Sequence, residues 1–162
     1  MASLAPSAPL DKPLYGATFA QAVKRFLAKY ATFSGRASRS EYWWSVLFVV
    51  AAMIVIWVPG TVIGLATGTP GVNPSTGRST VDPGPGFIPF AILGTLFYLA
   101  IIVPSIAITI RRLHDAGFSG LLYLLVLIPS VGGLALLVFT LLESKPDGAR
   151  FDAPVAPPVA GS

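Results

Sequence analysis

From Ser45 to Leu65 the chain carries no ionisable side chain. A stretch of about 20 apolar residues suffices for a helix to cross a hydrocarbon core ~30 Å thick. Directly before it stands Gly35-Arg36-Ala37-Ser38-Arg39-Ser40-Glu41-Tyr42-Trp43-Trp44, three charges followed by three aromatics. Charge, aromatic belt and hydrocarbon is the order of materials met on entering a bilayer. The whole composition agrees: 54% of residues are hydrophobic and 11% charged, where a soluble domain carries about a quarter charged. So few charges cannot cover a surface facing water. With no cysteine, disulfides and thiol-based metal or redox chemistry are excluded.

Two further apolar runs follow. The expected fold is all-α, with three transmembrane spans at about 42–65, 87–110 and 121–142. Pro59-Gly60 is expected to kink or end the first, while Pro104, Pro129 and Gly132-Gly133 interrupt the others. Ser38 to Glu41 reads as a capping box at the start of the first span. Thr67 to Gly86, rich in Gly, Pro, Ser and Thr, reads as a solvated, mobile loop.

Thr18-Phe19-Ala20-Gln21 is a second capping box. It opens an amphipathic segment at 15–34, with Phe19, Val23, Phe26, Leu27 and Tyr30 on one stripe. Basic residues flank the stripe, which favours a helix lying in the headgroup plane over one packed on the protein's own membrane ends. Residues 1–14 and 147–162 are Ala/Pro-rich and expected to be disordered tails. Met1 to Pro13 lacks the basic and apolar regions of a secretory signal, so the first run is expected to be both targeting signal and anchor.

Basic residues fix orientation. Lys24, Arg25, Lys29, Arg36 and Arg39 precede the first span, Arg78 alone lies in the first loop, and Arg111 and Arg112 lie in the second. Positive loops stay cytoplasmic. Three spans then place the N-terminus in the cytoplasm and the C-terminus outside.

The two cytoplasmic motifs are expected to meet in space. Arg36, Arg39 and Glu41 come from the first, and Arg111, Arg112, His114 and Asp115 from the second. One reading is topological: arginines set orientation, while Glu41, Arg111 and Arg112 complement helix ends. The other is a ligand site, because clustered arginines suit the phosphate of an anionic lipid headgroup or an acidic partner segment. No catalytic or metal constellation accompanies them. His114 is the sole histidine, with Asp115 and Glu41 as its only companions as ligands, too few for a metal. Gly117-Phe118-Ser119-Gly120 resembles the surroundings of an intramembrane serine nucleophile, but that chemistry needs a histidine on another element. Ser119 is read as a helix cap. The absence of ionisable groups inside the spans argues against proton-coupled transport.

Phe33-Ser34-Gly35-Arg36-Ala37-Ser38-Arg39-Ser40-Glu41-Tyr42-Trp43 and Arg111-Arg112-Leu113-His114-Asp115-Ala116-Gly117-Phe118-Ser119-Gly120 resemble the two signatures of the DUF805 family, over roughly Phe19 to Phe151. The resemblance implies a small multi-span bundle in a bacterial plasma membrane, of uncharacterised function. Leu121 stands where the family often has an aromatic. Gly148-Ala149-Arg150-Phe151-Asp152 keeps part of a closing family motif, without its Asn and final Gly.

The expected role is a non-enzymatic scaffold or accessory subunit. Its cytoplasmic basic face contacts anionic membrane lipid or a membrane protein partner, with self-association through Gly94, Ala100, Gly132 and Gly133. The alternatives are an oligomeric channel or transporter subunit, and a lipid-headgroup enzyme using His114 and Asp115. No cofactor and no nucleic-acid partner is expected.

Overall fold

Thr18 and Gln21 form both halves of the capping box: the Gln21 amide donates to the Thr18 hydroxyl, and the Thr18 amide donates to the Gln21 side chain. The helix they open, α1, runs Phe19–Ala28. The computed structural model describes residues 8–10, 12–129 and 131–152. The remaining parts of the expected terminal tails lie outside these residues. α2 spans Arg39–Ala66 and α3 spans Ile88–Asp115. At 1.5 Å per residue each is about 42 Å long, and both are long and apolar enough to cross a membrane. Neither stops at its internal proline. A proline removes one helical hydrogen bond, but in hydrocarbon the helix remains the only way to satisfy the flanking amides.

Contacts divide the chain into two units: residues up to Ser45 together with those from Val103 onward, and Val46–Ile102. In the second unit, the α2 and α3 portions meet at small residues. Gly60 lies against Phe90, Gly64 against Phe87 and Gly94 against the Trp57 indole. The connection, expected as a solvated loop, is exposed and carries regular structure. Thr69–Val72 (β1) and Ser79–Asp82 (β2) form an antiparallel hairpin with Thr69 opposite Asp82. Its turn is held by Asn73, whose Oδ1 accepts from the Ser75 and Thr76 amides.

The third apolar run differs most from expectation. In place of one helix over 121–142 there is a 3-10 helix, Gly120–Leu127, and then a short α-helix, α4, at Gly132–Leu141. Pro129 and the glycine pair separate them. A Cβ on Gly132 would overlap the Leu125 carbonyl, so the chain can fold back there only without one, and the two pieces pack on each other. Ten α-helical residues rise about 15 Å, half a hydrocarbon core. Both ends of this segment return to the last turns of α3. A Cβ on Gly120 would crowd Ile110 and His114, while the Thr140 and Leu142 carbonyls accept from Arg112. The C-terminal region is ordered further than expected too, with a 3-10 helix at Pro146–Phe151.

Candidate functional site

The interior of the first unit is charged. Arg25, Glu41, Arg111, Arg112 and Asp115 are all buried. Buried ionic groups require partners, and the local folds supply them.

Glu41 is the first hub. It closes the expected capping box, its Oε2 accepting from the Ser38 amide at 3.0 Å while its own amide donates to Ser38 Oγ at 3.2 Å. The same Oε2 accepts from the Leu14 amide at 3.0 Å, and Oε1 pairs with Arg25 Nε. The remaining Arg25 donors reach the Ala8, Pro9 and Lys12 carbonyls. The segment before α1 is therefore pinned over the helix start, because a guanidinium has five donors to place.

Asp115 is the second hub. It accepts from Arg112 Nη1 at 2.5 Å, Ser144 Oγ at 2.5 Å and the Tyr15 hydroxyl at 3.0 Å. Burial and the neighbouring Asp115 charge raise the Tyr15 phenol above its ordinary value. Arg112 also donates through Nε to the Thr140 carbonyl at 3.0 Å and through Nη2 to the Leu142 carbonyl. α3 ends in a Schellman arrangement, with Gly117 N–H to the His114 carbonyl and Phe118 N–H to the Leu113 carbonyl. Gly117 takes φ +84, a conformation that L side chains resist.

The two motifs do meet. The Ala37 amide donates to the Arg111 carbonyl at 3.0 Å, and His114 Nδ1 lies 3.1 Å from the Gly35 carbonyl. The segment after α4 joins them. Gly35 N–H donates to the Phe151 carbonyl at 2.8 Å, and Asp152 accepts from Arg36 Nε and Nη2 at 2.9 and 2.7 Å. The Phe151 ring stacks on His114 at 4.0 Å.

The expected residues therefore divide. Arg36, Glu41, Arg112 and Asp115 are tied into internal pairs. Arg111 is 1% exposed; its Nε reaches the Ala107 carbonyl, and its Nη2 has no hydrogen-bond partner among the described residues. Of the arginines expected at the site, Arg39 alone is open: its side chain is 50% exposed and only loosely faces Glu143 at 3.8 Å. It lines a cavity of about 450 Å³ with Tyr15, Ser38, Ser40 and Ser144.

Sequence reasoning missed Arg25, Tyr15, Ser144 and Asp152. The sequence places Arg25 among the basic residues flanking the apolar stripe, yet the buried face is Ala22, Arg25, Phe26 and Lys29, while Phe19, Leu27 and Tyr30 stay exposed. A usable signal existed. The chain has only 7 acidic residues, and Glu41, Asp115 and Asp152 each lie within an arginine-bearing motif flanking an apolar run. Carboxylates kept beside hydrocarbon call for a cationic partner.

DUF805, described as a protein of unknown function, matches residues 30–153. The chain belongs to the DUF805 family. It is 34% identical to the inner membrane protein YhaI of Escherichia coli K12 over 125 residues, which is 77% of this chain and 86% of YhaI. It is 32% identical to the inner membrane protein YhaH of the same strain over 127 residues, 78% of this chain and 89% of YhaH. No solved structure matches it. The match to DUF805 covers all three segments of the junction, Gly35–Glu41, Arg111–Gly120 and Gly148–Asp152.

Proposed function

We propose that this protein is a non-enzymatic inner-membrane scaffold or accessory subunit. Its family motifs build a charge-paired junction, and its open basic residues contact anionic headgroups or an acidic segment of a membrane partner. The observation that carries this is the engagement of the motif side chains with one another. Asp115 already has three donors, and His114 is stacked and bonded at Nδ1. Asp115 is saturated with donors and His114 is bonded to a backbone carbonyl and not to a carboxylate, whereas Arg39 is half-exposed beside a polar cavity that it shares with Glu143. The exposed Phe19, Leu27 and Tyr30 on α1, with Phe19 edge-on to Trp44 at 5.8 Å, suit a helix seated at the headgroup level.

The same junction supports a membrane arrangement. α2 and α3 cross, residues 120–142 enter and return as a re-entrant hairpin, and both chain ends lie in the cytoplasm. The bonds from Gly35 and Arg36 to Phe151 and Asp152 support this, because they tie the segment before the first crossing to the segment after the hairpin. Three full spans would leave those partners on opposite sides. A reporter fused after Ser162 decides: a fluorescent cytoplasmic reporter is active and a periplasmic phosphatase silent. The reverse pattern restores the three-span arrangement.

The lipid contact is tested with protein in vesicles of anionic and zwitterionic lipid. Arg39→Ala weakens the anionic preference, and added salt weakens it further. An unchanged preference rejects the contact. A second reading, a transport subunit, draws on the break at Pro129–Gly133, since interrupted helices line transporter sites. It requires self-association, and a strict monomer in detergent counts against it.

A further inference from the structure

Beside the end of α3 lies a second cavity, of about 510 Å³, that none of the pairs above uses. Ser34, Ser119 and His114 line its polar part, and Ile110, Leu121 and Leu124 its aliphatic part. Apolar walls with a few convergent polar groups are the usual form of a small-ligand site. Leu121 and Leu124 are exposed, so the aliphatic wall continues onto the outer surface of the hairpin's first arm.

His114 sets the chemistry of the polar part. The Gly35 carbonyl can only accept, so Nδ1 carries the proton, and in the neutral ring Nε2 presents a lone pair. That atom borders Gly120, where a Cβ would lie 3.0 Å from it. It has no hydrogen-bond partner among the described residues, and the stack on Phe151 fixes the ring plane. A fixed, open acceptor at the polar end of an amphipathic slot selects a donor. Charge narrows the choice. The Arg150 guanidinium lies 4.7 Å over the Phe151 ring and donates to the Gly117 carbonyl. Arg150 does not line the cavity, but its charge reaches the His114 ring, which disfavours an ammonium donor and favours an anionic headgroup. The matching group is a hydroxyl on an anionic headgroup.

We propose that this cavity binds a phosphoglycerol headgroup, a glycerol hydroxyl donating to His114 Nε2 and the acyl chain lying along Leu121 and Leu124. The site rests on the anionic-lipid reading above and gives it a second, chemically selective contact away from Arg39. Full-length protein, delipidated in detergent, is titrated with phosphatidylglycerol, phosphatidylethanol and free glycerol phosphate, with bound ligand counted by native mass spectrometry. Phosphatidylethanol keeps the chains and the charge but has no hydroxyl. Phosphatidylglycerol binds about tenfold tighter than phosphatidylethanol, the size of one net hydrogen bond. Leu124→Trp, which fills the slot from an exposed position, removes that advantage. His114→Phe, which keeps the stack, also equalises the two lipids. Should His114→Phe fail to fold, Leu124→Trp decides alone. Free glycerol phosphate binding as tightly as the lipid overturns the acyl slot. Equal affinity of the wild type for the two lipids, or an advantage that survives Leu124→Trp, overturns the proposal. If Arg39→Ala then still weakens both lipids, the broader anionic-contact reading stands without this site; if it weakens neither, that reading falls too.

Discussion

In the Val46–Ile102 unit, Val55 is 70% exposed; in the other unit, Arg112 is wholly buried. The two residues invert the arrangement of a water-soluble domain in complementary ways. Around Val55 the outward residues are Val50, Ile54, Val58 and Val62, and the packing contacts are glycine against aromatic. Where lipid is the solvent, burying apolar surface gains little, so helices associate through close approach at small residues. Around Arg112 cohesion comes from ion pairs and charge-assisted hydrogen bonds, which are strong in a low-dielectric interior when every donor is placed. One unit is held by shape and the other by charge, and substitutions should respond accordingly.

The largest effect belongs to Arg112. Arg112→Met leaves Asp115 short of one donor and the Thr140 and Leu142 carbonyls without theirs. Breaking a buried pair from one side costs about 3–5 kcal/mol. Thermal unfolding in detergent should show a large loss. Its neighbour is the control. Arg111 is as deeply buried, yet one of its nitrogens is unpartnered, so Arg111→Met removes an uncompensated group and costs far less. Equal losses for the two would mean that burial, and not pairing, sets the stability of this unit.

In the other unit the sensitive positions carry no charge. A Cβ on Gly60 would lie 2.5 Å from Phe90 Cβ. Gly60→Leu should cost about 1–3 kcal/mol through overpacking, visible as a lower melting temperature. The control lies in the charged unit: Gly133, where a Cβ meets nothing within 4 Å, should accept Leu with little change. A tolerant Gly60 would remove the case for shape-held packing.

The same contrast explains which features the sequence announced. α2 and α3 were plain because an uncharged run of that length in hydrocarbon has one stable form, and the capping boxes at Thr18 and Ser38 were plain because their geometry is local. The hairpin at Leu121–Leu142 was not. Hydropathy measures the solvent of a segment, not whether it crosses, and the fold-back depends on Gly132 meeting the Leu125 carbonyl. The junction was half visible. Motif spacing brought Arg36 and Glu41 toward Arg111 and Asp115. The partners that complete it, Arg25, Tyr15 and Asp152, depend on long-range packing that no local pattern encodes. On α1 the charged face turned inward and part of the apolar stripe outward, the opposite of the assignment a water-soluble helix would invite.

A smaller effect tests the rim of the charged unit. Tyr15→Phe removes one of three donors to Asp115 from a largely exposed side chain, a loss of about 0.5–1 kcal/mol. Its pH dependence has a definite sign. The folded phenol is raised above 10, first by burial and then by Asp115. The stabilisation it gives is complete below about pH 10 and is lost as pH rises through the folded value. The gap between wild type and Tyr15→Phe should therefore be constant near neutrality and close in strong alkali. A gap that widens there would place the phenol elsewhere.

The smallest effect on stability belongs to Arg39, and it discriminates best. The Arg39–Glu143 pair is 3.8 Å apart, with side chains 50% and 88% exposed. Pairs of this kind contribute about 0–1 kcal/mol and are screened by salt. Arg39→Ala should leave the melting temperature within about 0.5 kcal/mol of wild type, whereas Arg112→Met lowers it steeply. In vesicle binding the order reverses, because Arg39 is half-exposed while Arg112 is wholly buried. An arginine that matters to lipid and not to folding is the signature of a contact residue; one that matters to folding and not to lipid is the signature of a strut. If Arg39→Ala lowered stability as much as Arg112→Met, Arg39 would be a strut and not a contact residue.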